Sequence, residues 1–149
     1  MKIHRIDHVG IVVNDLSAAK VFFLDFGLEV QGEGKLEGEW LDRVVGLNDV
    51  KTELVMMQTP DRQVNLELTK FHTPSDEKGI QYPLANTLGI RHIAFVVEDI
   101  EAIVAKLKKK GMETFSDIQT VASFENTHYK LCYIRGPEGI ILELAEQIK

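Results

Sequence analysis

The chain contains an internal repeat, which restricts its possible folds more than any other feature of the sequence. The nine residues that begin at His8 (HVGIVVNDL) align with the nine that begin at His92 (HIAFVVEDI). A Leu-Glu-Leu tripeptide follows later in each half, centred on Glu67 and Glu143. Because the two copies together span most of the 149 residues, we expect two modules of similar structure.

Hydrophobic periodicity predicts the same order of elements in both halves: a strand, a helix and three further strands. The first half is predicted to contain a strand at 5–13, a helix at 15–26 and strands near 28–36, 51–58 and 63–70, with irregular chain at 38–48. The second half is predicted to contain a strand at 90–97, a helix at 99–110 and strands near 113–121, 129–135 and 140–146. Gly27 and Gly111 are expected to end the two helices.

We expect the two modules to form one α+β domain over residues 1–149. The repeats cover about 4–70 and 89–146, and segment 71–88, which contains two prolines, is the predicted linker. A single four-stranded module leaves two open strand edges and one uncovered sheet face. Two βαβββ modules paired side by side are therefore expected to form a curved, cup-shaped eight-stranded sheet with the helices outside.

Composition limits the partners and the compartment. The formal net charge is −6, which argues against nucleic acid as a partner because nucleic-acid binding requires a basic surface. Cys132 is the only cysteine, so an intramolecular disulfide is impossible and a reducing compartment fits. With no secretory signal and no apolar run of membrane-spanning length, the sequence predicts a cytoplasmic protein without a membrane partner.

The alternation of side chains along a strand places both histidines and both glutamates beside small or apolar neighbours. His8 shares its strand face with Gly10, and His92 shares its face with Ala94, so each histidine has open space beside it. Leucines flank Glu67 and Glu143 and point to the opposite face. Carboxylates within apolar strands are costly to bury unless they are paired or bind a cation, and we therefore place them on the histidine face.

Two imidazoles and two carboxylates form a suitable ligand set for one divalent metal ion. His8, Glu67, His92 and Glu143 would supply four ligands, and an octahedral ion would keep two positions for water or substrate. Zinc, nickel, cobalt and manganese all accept such nitrogen and oxygen donors, and the sequence leaves this choice open.

At these residues the chain resembles the vicinal oxygen chelate superfamily. That superfamily includes glyoxalase I, methylmalonyl-CoA epimerase, extradiol dioxygenases, and fosfomycin- and bleomycin-resistance proteins. The resemblance covers nearly the whole chain. It rests on four segments: HVGIVVNDL from His8, LELT from Leu66, GIRHIA from Gly89, and GPEG from Gly136 leading to LEL from Leu142.

Glyoxalase I (lactoylglutathione lyase) is similar in offering His, Glu, His and Glu at the four positions. The resemblance implies that His8, Glu67, His92 and Glu143 bind one metal ion, and that a glutamate removes a proton beside a metal-polarised carbonyl to give an enediolate. By this analogy Glu143 is the first candidate for the catalytic base and Glu67 the second. It also implies a small-molecule substrate, glutathione or another thiol as cosubstrate, and a homodimer. Arg43, Arg62 and Arg91 are candidates for holding the thiol's carboxylates by charge alone.

Other activities of the superfamily remain open at this point. An acyl-CoA epimerase would use the same site to remove a proton and return it on the other face. A dioxygenase would bind iron through two histidines and one carboxylate. A fosfomycin thiol transferase typically lacks the glutamate of the first half. A drug-binding resistance protein would bind its ligand without the four metal ligands, so the complete set favours an enzyme.

Overall fold

The computed structural model describes residues 1–122 and 127–149, and it divides into two compact units, Met1–Gly79 and Ile80–Lys149. The first unit contains β1 (His8–Val12), α1 (Leu16–Phe26), β2 (Glu29–Glu37), α2 (Glu39–Val45), β3 (Lys51–Gln58) and β4 (Asn65–Thr73). Its four strands form a sheet in the order β1-β4-β3-β2. The β1–β4 pair is parallel and the other two pairs are antiparallel.

The second unit repeats this topology. It contains β5 (His92–Val96), α3 (Ile100–Lys109), β6 (Gln119–Ala122), β7 (His128–Arg135), a short 3-10 helix (Pro137–Gly139) and β8 (Ile141–Ile148). The strand order is β5-β8-β7-β6, with β5 and β8 parallel. The predicted α+β fold with two βαβββ modules is confirmed. The joining of both sheets into one eight-stranded cup stays a prediction, as does the single-domain assignment.

Each long helix is fixed at both ends by the residues that the sequence offers there. The Asp15 carboxylate accepts a hydrogen bond from the backbone N–H of Ala18, and Gly27 ends α1 with a φ of +116°. The Asp99 carboxylate caps α3 in the same way through Ala102, and three lysines lie in the last turn. Capping groups and terminal cations satisfy free backbone groups and complement the helix dipole.

The core of each unit lies between its long helix and one face of its sheet. In the first unit the fully buried side chains include Phe23 of α1, Met57 of β3, and Leu66 and Leu68 of β4. In the second they include Ile100 of α3, Ile134 of β7, and Leu142 and Leu144 of β8. We call the opposite face of each sheet, to which His8 and His92 point, the open face.

Three predicted segments differ most from the structure. The segment predicted to be irregular at 38–48 contains α2, a seven-residue helix between Gly38 and Gly46. The strand predicted at 113–121 is reduced to Gln119–Ala122, with Thr114 forming one isolated bridge to Ile134. Strand β4 continues to Thr73, inside the predicted linker 71–88, and the division between the two units also falls within that segment.

None of the helices in the described ranges is both long and apolar enough to cross a membrane.

Candidate metal centre

The first predicted ligand pair comes from adjacent parallel strands of the first unit. In the register of β1 and β4, Gly10 lies opposite Glu67. His8 lies on β1, two residues before Gly10. This offset lets the histidine reach along the face towards the carboxylate. His8 Nε2 is 3.4 Å from Glu67 Oε2.

The second pair repeats this geometry in the second unit. Ala94 lies opposite Glu143 in the register of β5 and β8, and His92 again lies two residues earlier. His92 Nε2 is 3.1 Å from Glu143 Oε2. The duplication in the sequence therefore extends to the same strand pair, the same offset and the same nitrogen-to-carboxylate contact.

The burial pattern matches the predicted faces. His8 and His92 have exposed side-chain fractions of 38% and 37%, whereas Glu67 and Glu143 are 26% and 17% exposed. The leucines on either side of each glutamate are buried on the helix side. Both pairs therefore lie on the open face of their own sheet, where a ligand can reach them.

Within each unit, the structure brings one predicted histidine ligand into contact with one predicted glutamate ligand. Within residues 1–122 and 127–149, no group of three or more His, Cys, Asp or Glu side chains is arranged to hold a metal ion. The combination of all four residues in one metal site thus stays a prediction.

The surroundings of His8 fit a cation. Its Nδ1 lies 2.8 Å from Asp7 Oδ2, and this hydrogen bond, together with the charge of Arg5, lowers the pKa of Asp7. When Nδ1 donates its proton to Asp7, the lone pair of Nε2 faces the Glu67 carboxylate. Two lone pairs facing each other at this distance require a proton or a cation between them. Glu67 is also held by Thr69, whose hydroxyl donates to Oε1 over 3.0 Å.

Tyr133 distinguishes the second pair from the first. It lies opposite Glu143 in the register of β7 and β8, where the first unit has Met56 opposite Glu67. Its hydroxyl is 3.5 Å from His92 Nδ1, and the two ring centroids are 5.0 Å apart. Burial, and then the charge of Glu143, raise the pKa of the Tyr133 phenol. We did not predict Tyr133 from the sequence, although its alternation along β7 with buried Cys132 and Ile134 indicates the face that it occupies.

Arg135 continues the same row of side chains along β7. Its guanidinium lies over the Phe115 ring at 4.9 Å, and Nη1 donates to the carbonyl of Gly139 over 3.2 Å. The Phe115 and Tyr133 rings are 5.9 Å apart in an edge-on arrangement. Arg135, Phe115 and Tyr133 therefore form a continuous group that ends at His92; the sequence analysis missed this group as well.

The three arginines proposed earlier as anion contacts occupy other positions. Arg43 pairs with Glu39 at 2.9 Å on the exposed helix α2. Arg91 donates to the backbone carbonyls of Thr87 and Leu88. Arg62 lies in an exposed turn with a φ of +59°. Their suggested role in holding a thiol stays a prediction that no contact in the structure supports.

A cleft of about 280 Å³ lies elsewhere in the first unit, between α1, β2 and β3. It contains none of the four predicted ligands. Its charged side chains pair with one another, Lys20 with Glu33 and Lys35 with Glu53. We therefore do not assign the chemistry to this cleft.

Comparison with known proteins defines the family to which this chain belongs. Residues 5–144 match the sequence profile of the Glyoxalase/Bleomycin resistance protein/Dioxygenase superfamily, and the chain belongs to that superfamily.

Several relatives are similar over nearly the full length. A glyoxalase family protein from Bacillus cereus, known from its crystal structure, is 42% identical with a TM-score of 0.90, covering 100% of this chain and 97% of that one. The uncharacterised protein YaeR of Escherichia coli is 26% identical, covering 96% of both chains. The 2-epi-5-epi-valiolone epimerase of an Actinomyces species is 27% identical over 93% of this chain and 77% of its own length.

Proposed function

We propose that this protein is a divalent-metal-dependent enzyme that moves a proton on a carbon atom next to a carbonyl group, as a lyase or isomerase of the glyoxalase type. One observation carries the proposal: both units present a His–Glu pair at the same offset across the same parallel strand pair. A proton-transfer site needs carboxylates held at fixed positions, and the two pairs supply them.

The proposed metal ligands are His8, Glu67, His92 and Glu143, acting together. The nitrogen and oxygen donors suit zinc, nickel, cobalt or manganese. The arrangement around His8 supports this, since its Nε2 faces a carboxylate while Nδ1 is bonded to another. When bound, such an ion would polarise the substrate carbonyl and stabilise the negative charge that develops on its oxygen.

Glu143 is our first candidate for the residue that removes the proton. Thr69 donates to Glu67 and fixes the orientation of that carboxylate, which suits a permanent ligand. Among the described residues, no hydroxyl group donates to Glu143 in the same way. This carboxylate contacts His92 Nε2 over 3.1 Å, and we assign to it the acceptance of the proton from a bound substrate. The Tyr133 phenol beside His92 can hydrogen-bond to a substrate oxygen at the same place. A thiol cosubstrate such as glutathione remains part of the glyoxalase-type proposal.

Epimerisation is the second candidate function. An epimerase must remove a proton from one face of a carbon atom and return it to the other, so it needs two acid–base groups. The two similar pairs would provide Glu143 and Glu67 for these steps. The similarity to an enzyme named as an epimerase favours this candidate over ring cleavage or drug binding.

Proton exchange in heavy water tests the proposal without knowledge of the full reaction. The metal-loaded protein is incubated in D2O with methylglyoxal and glutathione, with methylglyoxal and other thiols, and with acyl thioesters, and loss of the C–H signal is followed by NMR. We expect exchange with at least one substrate and a loss of at least 100-fold in Glu143→Gln.

The matched control is Glu53→Gln, which changes a strand carboxylate that pairs with His72 and Lys35. It should exchange at the rate of the unmodified protein. Exchange that survives in Glu143→Gln and Glu67→Gln alike would overturn the proposal. Tight binding of bleomycin to metal-free protein, with no exchange of any substrate, would favour drug sequestration instead.

A further inference from the structure

Beyond the four predicted ligands, the open face of the second unit carries a cationic side chain with no assigned role. Residues two apart on a strand share a face, so Arg135 lies on the same side of β7 as Tyr133. Tyr133 lies opposite Glu143 and Arg135 opposite Ile141, the residue two positions before Glu143. The backbone position of Arg135 is therefore about 6–7 Å along the strand from the level of Glu143. His92 also lies opposite Ile141, so His92 and Arg135 are at the same level on the two strands that flank β8.

The neighbours of Arg135 hold the guanidinium in place without neutralising it. Nη1 of Arg135 donates to the Gly139 carbonyl, and the guanidinium lies over the Phe115 ring. A carbonyl and an aromatic ring bring no formal charge. Within residues 1–122 and 127–149, no carboxylate forms an ion pair with Arg135, although the whole chain carries an excess of acidic residues. Arg5 and Arg43, by contrast, each pair with a carboxylate.

Phe115 also leaves this position accessible. Its side chain is among the large apolar groups exposed to solvent, at 41%. It touches both the Arg135 guanidinium and the Tyr133 ring, so the aromatic surface continues from the cation to His92. A guanidinium stacked on a ring keeps its outer N–H groups directed sideways, where they can bind a carboxylate or a phosphate in a bidentate manner.

We infer that Arg135 determines specificity by binding an anionic group of the substrate, at the end remote from the carbonyl that reacts at His92 and Glu143. This inference rests on the proposed function, because it takes that pair as the reacting end. A backbone offset of about 6–7 Å between Arg135 and Glu143 fits a short-chain carbonyl compound whose far end is a carboxylate or a phosphate monoester. The rings of Phe115 and Tyr133 would contact the carbon chain of the substrate between its two ends.

Two pairs of ligands test this inference by isothermal titration calorimetry. 2-Oxoglutarate is compared with 2-oxopentanoate, which lacks the terminal carboxylate, and dihydroxyacetone phosphate with dihydroxyacetone. Each is titrated into protein with and without saturating Mn²⁺. We expect the anionic member of at least one pair to bind at least tenfold more tightly, and the preferred pair distinguishes a carboxylate from a phosphate.

The variant Arg135→Gln should abolish this preference while leaving the manganese content unchanged. Lys109→Gln removes one positive charge from the exposed last turn of α3 and should retain the preference. Equal affinities for both members of both pairs in the unmodified protein would overturn the inference, as would a preference that persists in Arg135→Gln. Failure of the proposed function has a different signature, namely no manganese binding together with an anion preference that is still lost in Arg135→Gln.

Discussion

At the scale of single residues, the two predicted histidine ligands differ in what holds the nitrogen that points away from the glutamate. Asp7 lies 2.8 Å from Nδ1 of His8, whereas the Tyr133 hydroxyl lies 3.5 Å from Nδ1 of His92. A carboxylate partner forms the stronger hydrogen bond, and such partners set the orientation of a ligating ring. The His8 ring is therefore held more firmly than the His92 ring.

This difference predicts unequal effects on metal affinity. We expect Asp7→Ala to weaken divalent-metal binding by about 10–100-fold, and Tyr133→Phe to weaken it by less than about tenfold. Competition against a chelating dye measures both affinities. Glu39→Ala, which removes an exposed carboxylate from α2, is the control for net charge and should have no effect. A larger loss in Tyr133→Phe than in Asp7→Ala would contradict the ranking.

The sequence could predict the face of each residue but not its neighbour across the sheet. Alternation along each strand correctly placed Glu67 and Glu143 opposite their flanking leucines. Tyr133 and Arg135 were missed because their relation to Glu143 depends on the register of β7 against β8. That register is set by the turn at 136–139, and neither strand sequence alone contains it.

At the scale of elements, the residue that caps the start of α3 must both adopt a left-handed backbone conformation and accept a hydrogen bond with its side chain. Asp99 has a left-handed φ of +56° and its carboxylate accepts from the N–H of Ala102. Asparagine tolerates the left-handed conformation and keeps a side-chain oxygen that can accept this hydrogen bond. Alanine disfavours that conformation and has no side-chain acceptor.

We therefore expect Asp99→Ala to lower the free energy of unfolding by about 1–2 kcal/mol. The matched variant Asp99→Asn should lose less than half as much. Urea unfolding followed by circular dichroism gives both values. Equal destabilisation in the two variants would show that the charge of Asp99, and not its capping geometry, stabilises the helix.

Element boundaries were predictable where local signals were strong. Helices α1 and α3 have a capping aspartate and a regular apolar stripe, and both were predicted to within a residue or two. Helix α2 has only seven residues and only Leu41 buried, too short a pattern to show helical periodicity. Strand β6 was predicted to begin too early because the apolar residues between 112 and 118 favour a strand. In the structure this segment pairs with β7 through an isolated bridge at Thr114, and the regular strand begins at Gln119.

At the scale of the whole molecule, metal stoichiometry decides whether the two His–Glu pairs act together. A site built from all four residues predicts one divalent ion per chain, whereas two independent pairs would bind two ions. We expect one ion by elemental analysis and calorimetry. The double variant His8→Ala/Glu67→Ala should then lose nearly all of the metal, because two ligands alone bind weakly.

Retention of half the metal in that variant would show that each pair binds an ion separately. Sedimentation velocity on the same samples tests the expected homodimer. The outer strands β1 and β5 each have one unpaired edge within their own sheet, and such edges are usually covered in native proteins.

The size of the side chain opposite each glutamate determines how much space is open beside the carboxylate. Gly10 faces Glu67 and Ala94 faces Glu143, and a methyl group added at Gly10 would meet no atom within 4 Å. The first strand thus forgoes about 0.5–1 kcal/mol that alanine would contribute at this position. A bound molecule can occupy this empty volume without displacing a side chain. At the equivalent position of the second unit, the methyl group of Ala94 fills part of that volume. Replacement of Gly10 by alanine should therefore narrow the space beside Glu67 without displacing any described side chain.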